Sequence, residues 1–142
     1  MATFVENDVF SEDLANKIHD LNSDTFRWVL SNTAPAVGTT FLLSNITQIS
    51  TSGGYTQMTD GAGGLTVTLS FSRTGQTTTV SGTQVVLTAS GAVGPFRYLI
   101  LVNDTPTSPL NPVIGWLDHG SAVTMAATDT YTIPSGAVFT IN

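Results

Sequence analysis

The side chains in this sequence that could take part in chemistry are few and widely spaced. Its histidines are His19 and His119, and no HxxxH or HExxH motif would bring two imidazoles to one metal ion. Asp118 precedes His119, but neighbours along a strand point to opposite faces, so this carboxylate would not orient that imidazole towards a serine. We interpret His119 as a residue at a strand end and His19 as a residue at a helix C-terminus.

The acidic residues also lack the arrangement that catalysis needs. The glutamates are Glu6 and Glu12, both near the N-terminus, whereas a glycosidase needs two acids that face each other across a cleft. Four aspartates stand beside turn-forming residues, where local hydrogen bonding explains them: Asp60, Asp104, Asp118 and Asp129. GAGG at 61–64 lacks the Lys and Ser/Thr of a phosphate-binding loop. The sequence therefore predicts no catalytic, metal-binding or cofactor-binding residue, and a protein that is not an enzyme.

The composition of the chain argues against some classes of binding partner. The 142 residues fit one domain, and 10% of them are charged, which is about two fifths of the usual share for soluble domains. The net charge is −6, and the cations Lys17, Arg27, Arg73 and Arg97 are too few to neutralise a phosphate backbone. We therefore expect no nucleic-acid partner. Because there is no cysteine, stability must come from packing or from partner chains.

The sequence predicts neither a secretion signal nor a membrane-spanning helix, so we expect no membrane partner. The N-terminus carries Glu6 and Asp8 where a secretion signal carries positive charge, and no apolar segment follows. The uncharged stretch 74–96 consists largely of Thr, Ser and Gly, and cannot replace the roughly 20 apolar residues of a membrane helix.

The pattern of the chain changes near residue 24. Before it, Leu14, Ile18 and Leu21 recur at i, i+4 and i+7, which predicts a short amphipathic helix with Asp8 or Ser11 as its cap. Ahead of that helix stand four apolar residues in a segment too short for a core of its own: Phe4, Val5, Val9 and Phe10. We expect this arm, within residues 1–24, to pack on another surface, such as a second subunit.

Residues 25–142 alternate with period two and are rich in Thr and β-branched residues. The expected strands include 26–31, 41–49, 65–72, 96–103, 113–118, 121–127, 130–133 and 137–141. A hairpin is expected to turn at Ser81-Gly82. The sequence thus predicts an all-β fold, a jelly roll or a β-barrel or sandwich of roughly eight to ten short strands, with one short N-terminal helix.

Arg97 lies inside the most apolar run, GPFRYLILVND at 94–104. Simple alternation places Phe96 and Tyr98 on one face of that strand, with Leu99 on the other face beside Arg97. If VIGWLDHG pairs antiparallel with this strand, Arg97 comes close to Asp118, and we predict a structural ion pair between them. Two alternatives are an arginine that clamps a carboxylate ligand and an arginine that pairs with another subunit.

Four aromatic residues allow a second class of function. Trp28, Tyr55, Trp116 and Tyr131 could form a platform on which sugar rings stack, as in a carbohydrate-binding module. Both tryptophans stand inside apolar strand segments, however, where core packing is the usual role of a large ring.

Three blocks of the sequence carry a resemblance to a known family. In order they are NSDTFRWVLSNTAP at 22–35, GPFRYLILVNDT at 94–105 and PVIGWLDHGSAVT at 112–124. Their order resembles that of small virion proteins of tailed bacteriophages, the head decoration or cement proteins. The segment 41–90 adds nothing to this resemblance.

The resemblance implies a β-barrel or jelly-roll subunit without active-site residues. It implies a homotrimer that binds the major capsid protein on the outer surface of the virion after synthesis in the bacterial cytoplasm. In that setting the N-terminal arm is expected to insert into the capsid, so that deletion of residues 1–10 weakens attachment and leaves the β domain folded. A tail or fibre protein of the virion is the alternative within the same setting.

Overall fold

Residues 3–142 are described by a computed structural model, and β-strands dominate them. The elements are β1 (Thr3–Glu6), α1 (Phe10–Ala15), β2 (Phe26–Ser31), a 3-10 turn (Leu43–Asn45), β3 (Leu65–Val67), β4 (Leu69–Thr74), β5 (Thr77–Gly82), β6 (Val85–Thr88), β7 (Val93–Asn103), β8 (Val113–Met125), β9 (Thr130–Ile133) and β10 (Gly136–Ile141). The predicted all-β fold class, with its short N-terminal helix, is confirmed.

The largest sheet has five antiparallel strands in the order β1-β8-β7-β2-β3. A three-stranded sheet, β10-β5-β4, and a two-stranded sheet, β6-β9, form the second layer of a sandwich. The expected antiparallel pairing of β7 with β8 is present, and the two runs predicted at 113–118 and 121–127 form one strand, β8.

The five-stranded sheet is buried on both faces. Phe26, Trp28 and Leu30 of β2 pack into the main core, which also contains side chains of the second layer such as Val80 and Phe139. On the opposite face a second cluster is formed by Val29, Met58, Ile100, Val102, Val113 and Trp116. Because successive side chains of a strand alternate between faces, a strand buried on both faces reads as a continuous apolar run, as β7 does.

Three expected β features are wrong. The strand predicted at 65–72 is divided into β3 and β4, which belong to different sheets. Segment 41–49 contains the 3-10 turn and no strand, because the Asn45 side chain accepts hydrogen bonds from the backbone N–H groups of Phe41 and Leu42 at 3.2 and 3.0 Å. Ser81-Gly82 lies inside β5, and the hairpin turns instead at Gly75, which has a positive φ of 63°.

The N-terminal helix is shorter than predicted. It ends at Ala15 because Lys17 adopts a left-handed conformation, with φ of 61°, and its N–H group donates to Leu14 O. Ile18 and Leu21 therefore lie beyond the helix. No side chain caps its N-terminus, so neither Asp8 nor Ser11 has the predicted capping role.

The arm belongs to the domain that follows it. β1 pairs with β8 from Thr3 opposite Asp118 to Glu6 opposite Gly115, and Phe10 is 1% exposed within the main core. The surface that this arm needs is supplied by its own chain. Residue 24 marks a change in secondary structure, and residues 3–24 pack together with the rest of the sandwich.

Candidate functional site

Arg97 and Asp118 form a bidentate ion pair in the middle of the β7–β8 ladder. Arg97 Nε donates to Asp118 Oδ1 at 2.8 Å, and Arg97 Nη2 donates to Asp118 Oδ2 at 3.0 Å. The N–H group of Gly120 also donates to Asp118 Oδ1, at 2.8 Å. The guanidinium carbon lies 5.4 Å from the centre of the Tyr98 ring. The ion pair predicted from the sequence is thus present.

The β7–β8 ladder is irregular beside this pair. Phe96 pairs with Val123 and Tyr98 with Asp118, so the extra residues at this point, 119–122, belong to β8. Phe96 joins Leu99 in the main core, while Tyr98 packs against the second cluster. The predicted face of Phe96 is therefore wrong, because simple alternation assumes a regular ladder.

The Arg97–Asp118 pair lies at the surface. The two side chains are 39% and 35% exposed. The hydrogen bonds from Arg97 lower the pKa of Asp118, and the same bonds raise the pKa of Arg97. Since solvent screens such a pair, its contribution to stability is small. A carboxylate ligand could occupy the guanidinium fork only by displacing Asp118, which argues against the ligand-clamp alternative.

A second arginine, Arg27, forms a more buried network that the sequence analysis missed. Arg27 Nε lies 2.6 Å from Asp104 Oδ2, and the two side chains are 16% and 3% exposed. Arg27 Nη1 donates to Gly63 O at 3.0 Å and to Thr66 Oγ1 at 3.1 Å, while the N–H group of Gly61 donates to Asp104 Oδ1 at 2.9 Å. These bonds attach the glycine-rich loop at 61–64 to the end of the main sheet. The β2–β7 pairing places Asp104 one residue past the ladder that contains Arg27, and no local pattern in the sequence indicates that pairing.

The four apolar arm residues have different surroundings. The ring of Phe4 stacks on Phe139 with a centroid distance of 5.1 Å, and Phe10 meets the same ring edge-on at 5.3 Å. Val5 packs against the second cluster. Val9 is half-buried at a shallow groove beside Phe41 and Leu42. Phe10 is thus a core residue, Phe4 and Val5 are partly buried against the two clusters, and Val9 borders the groove.

His19 lies in a buried polar network. The interpretation of His19 as a residue at a helix C-terminus is wrong, because α1 ends at Ala15. His19 Nδ1 accepts a hydrogen bond from Asn103 Nδ2 at 3.0 Å, and the same amide donates to Asp24 Oδ2 at 2.7 Å. The neutral imidazole therefore has its proton on Nε2, which lies 3.6 Å from Asp13 Oδ2. Burial lowers the pKa of His19 to about 4, opposed in part by the charge of Asp24.

The aromatic residues considered for sugar stacking do not form a platform. Trp28, Tyr55 and Trp116 are buried, and the two tryptophans belong to clusters on opposite faces of the main sheet. The Tyr55 hydroxyl accepts a hydrogen bond from Leu30 N at 3.0 Å. Only Tyr131 of the four is partly exposed, so the geometry offers no row of accessible rings.

Tyr131 and His119 stand together beside an apolar cleft between the two layers. His119 Nδ1 lies 2.9 Å from the Tyr131 hydroxyl, and burial raises the pKa of that hydroxyl. The cleft has a volume of about 290 Å³ and is lined by Trp28, Leu99, Leu117, His119, Tyr131, Thr132, Ile133, Pro134, Ala137 and Val138. We interpreted His119 as a residue at a strand end. No short-range pattern in the sequence predicts its contact with Tyr131, which is twelve residues away and on another strand.

Residues 3–142 form neither a metal-binding cluster nor a membrane-spanning helix. These residues contain no group of three or more His, Asp or Glu side chains placed to hold a metal ion. Nor does any helix formed by them have the length and apolar character to cross a bilayer.

Comparisons of this chain with protein-family models, with curated proteins and with solved structures found no match. The resemblance to head decoration proteins therefore depends on the three sequence blocks. These blocks contain β2 and the greater parts of β7 and β8.

Proposed function

We propose that this chain is a structural protein of a tailed-bacteriophage virion, a decoration or cement protein that binds the major capsid protein on the outside of the head as a homotrimer. The observation that carries the proposal is the position of the three blocks that resemble this family. Although 22–35 and 94–124 are far apart in sequence, their strands are neighbours in the order β8-β7-β2 at the centre of one sheet. Similarity confined to adjacent central strands is expected when two proteins share a fold.

The proposed mechanism is stabilisation by mass action. A protein that binds only the expanded shell stabilises it by RT ln(1 + [L]/Kd) at each site, and these contributions add over all sites of the lattice. The low charge of the chain suits this role. Of its four cations, Arg27 and Arg97 are paired within the chain, so a contact made by its neutral, Thr-rich surface removes few ions from water.

The attachment surface proposed here differs from the one expected from the sequence. Because Phe10 lies in the core of its own chain and Phe4 packs against that core, we assign attachment to exposed apolar side chains of the sandwich. Among the described residues the large ones are Val37, Phe71, Val86 and Leu110. Phe71 is about half exposed on β4, an edge strand, where it borders a groove that also contains Leu14 and Leu21.

The experiment is a decoration assay with heads that lack this protein. Purified chain should sediment as a trimer, bind such heads saturably and raise the temperature at which they release DNA. Phe71→Ser should weaken binding, whereas Ser72→Ala, an exposed neighbour on the same strand, should not. Binding to tails and not to heads would favour the tail or fibre alternative, and a monomer that binds neither would contradict both.

A further inference from the structure

The apolar cleft beside His119 and Tyr131 is a concave site within the described part of the chain. It lies where the turn between β9 and β10 separates the two small sheets, which leaves a gap above Trp28, Leu99 and Leu117 of the main sheet. Its volume of about 290 Å³ is at the lower end of the range of small-molecule sites. The proposed capsid role makes no use of this cleft.

The side chains that line the cleft indicate which class of ligand it can bind. None of the lining residues is Lys, Arg, Asp or Glu, so a charged ligand would lose water without gaining an ionic partner. The walls are mostly apolar, which favours a ligand with an apolar body.

Polar groups in the lining are few. The Tyr131 hydroxyl makes one hydrogen bond, with His119, and has capacity for another. The ring of Tyr131 is held edge-on against Phe96 at 5.1 Å, which fixes the position of the hydroxyl. Trp28 is buried, and its indole N–H has no hydrogen-bond partner within residues 3–142.

We propose that this cleft binds a small neutral molecule with an apolar body and one hydroxyl or carbonyl oxygen. The apolar body lies between the main sheet and β10, against Leu99, Leu117 and Val138. The oxygen hydrogen-bonds at the Tyr131 hydroxyl. This inference is independent of the capsid role, since the cleft and the exposed Phe71 lie in different parts of the sandwich and share no lining residue.

The test uses 1-hexanol as the probe and the two indole N–H resonances of the full chain as reporters. Trp28 lines the cleft, while Trp116 belongs to the cluster on the other face of the main sheet, so each sample contains its own control. The variant Trp116→Phe identifies which resonance belongs to Trp28. We expect hexanol to shift the Trp28 resonance saturably and to leave that of Trp116 unchanged, with hexanoate and hexylammonium at least ten-fold weaker.

Substitutions inside and outside the cleft test where hexanol binds. Ala137→Phe, at an exposed lining position, should abolish the shift, while Ala122→Phe, an exposed alanine outside the lining, should retain it. If Ala137→Phe does not fold, the smaller Ala137→Leu should weaken binding. Tyr131→Phe keeps the ring and should weaken hexanol binding about five-fold, the effect of one hydrogen bond. The proposal is overturned if hexanol shifts neither indole or both alike, if Ala137→Phe binds as the wild type does, or if charged probes bind equally well.

Discussion

The ring of Phe4 in β1 lies so close to Gly115 in β8 that a Cβ atom at position 115 would stand 2.6 Å from Phe4 Cζ, and it would also collide with the backbone oxygen of Val5. A glycine at this position therefore lets the N-terminal strand join the main sheet with an aromatic ring across it. This contact connects the first residues of the chain to the centre of the fold.

We predict that Gly115→Ala destabilises the protein by roughly 1–3 kcal/mol, because the added methyl group must displace a ring and a backbone carbonyl that are both held by packing. Urea denaturation followed by tryptophan fluorescence measures the loss. Gly38→Ala is the matched control, since the nearest atom to its new Cβ would be Asp8 Oδ2 at an ordinary 3.7 Å. Equal stability of the two variants would show that β1 does not pack against β8 in this way.

The second prediction concerns the arm. Removal of residues 1–10 should unfold or strongly destabilise the β domain, because it deletes β1 and the buried ring of Phe10. This revises the expectation that the truncated domain stays folded. Phe10→Ala alone should cost about 3–5 kcal/mol in the free energy of unfolding, the usual effect of emptying a buried aromatic site. Val9→Ala, at the half-buried neighbour, should cost much less. A truncated chain with an unchanged melting temperature would contradict the packing described here.

The third prediction compares the two arginines. Arg27→Ala should destabilise the chain by about 3 kcal/mol, because it leaves the buried Asp104 carboxylate without its charge partner and frees the loop at 61–64. Arg97→Ala should have a much smaller effect, since water can replace Arg97 around the exposed carboxylate of Asp118. Chemical denaturation of both variants in one buffer gives the comparison. The opposite order of stability would mean that the surface pair is the structural one.

The fourth prediction concerns acid stability. His19 has an ordinary pKa of 6.5 when unfolded and a pKa of about 4 when folded, so below pH 6.5 the unfolded chain binds a proton that the folded chain does not. Stability should therefore fall between pH 6.5 and about 4, by about 3 kcal/mol in total, and this contribution should level off below pH 4.

His19→Gln isolates this effect, because glutamine does not titrate and any slope common to both proteins comes from other groups. Unfolding free energies measured at pH 7, 5.5 and 4 should diverge between the wild type and this variant. A wild type and His19→Gln with parallel pH profiles would show that His19 is accessible to protons in the folded state.

Much of the fold was predictable because the signals are local. Period-two alternation identified β2 and β9, and the apolar run at 94–104 identified a strand covered on both faces. The Arg97–Asp118 pair followed from the expected pairing of two long neighbouring strands. By contrast, the strand predicted at 41–49 was wrong because one side chain, Asn45, outcompetes the ladder for backbone donors, and periodicity does not register that competition.

The sequence alone determined the class of the fold, the scarcity of ionic groups and the lack of recognisable catalytic motifs, since these depend on residue types and short-range spacing. Only the tertiary structure decided where the N-terminal arm packs, that Arg27 pairs with Asp104, and that His119 meets Tyr131 beside a cleft. Each of these contacts joins residues on different strands. Their proximity depends on the order and register of strands within the sheets and on how the two layers pack, which no short segment specifies by itself.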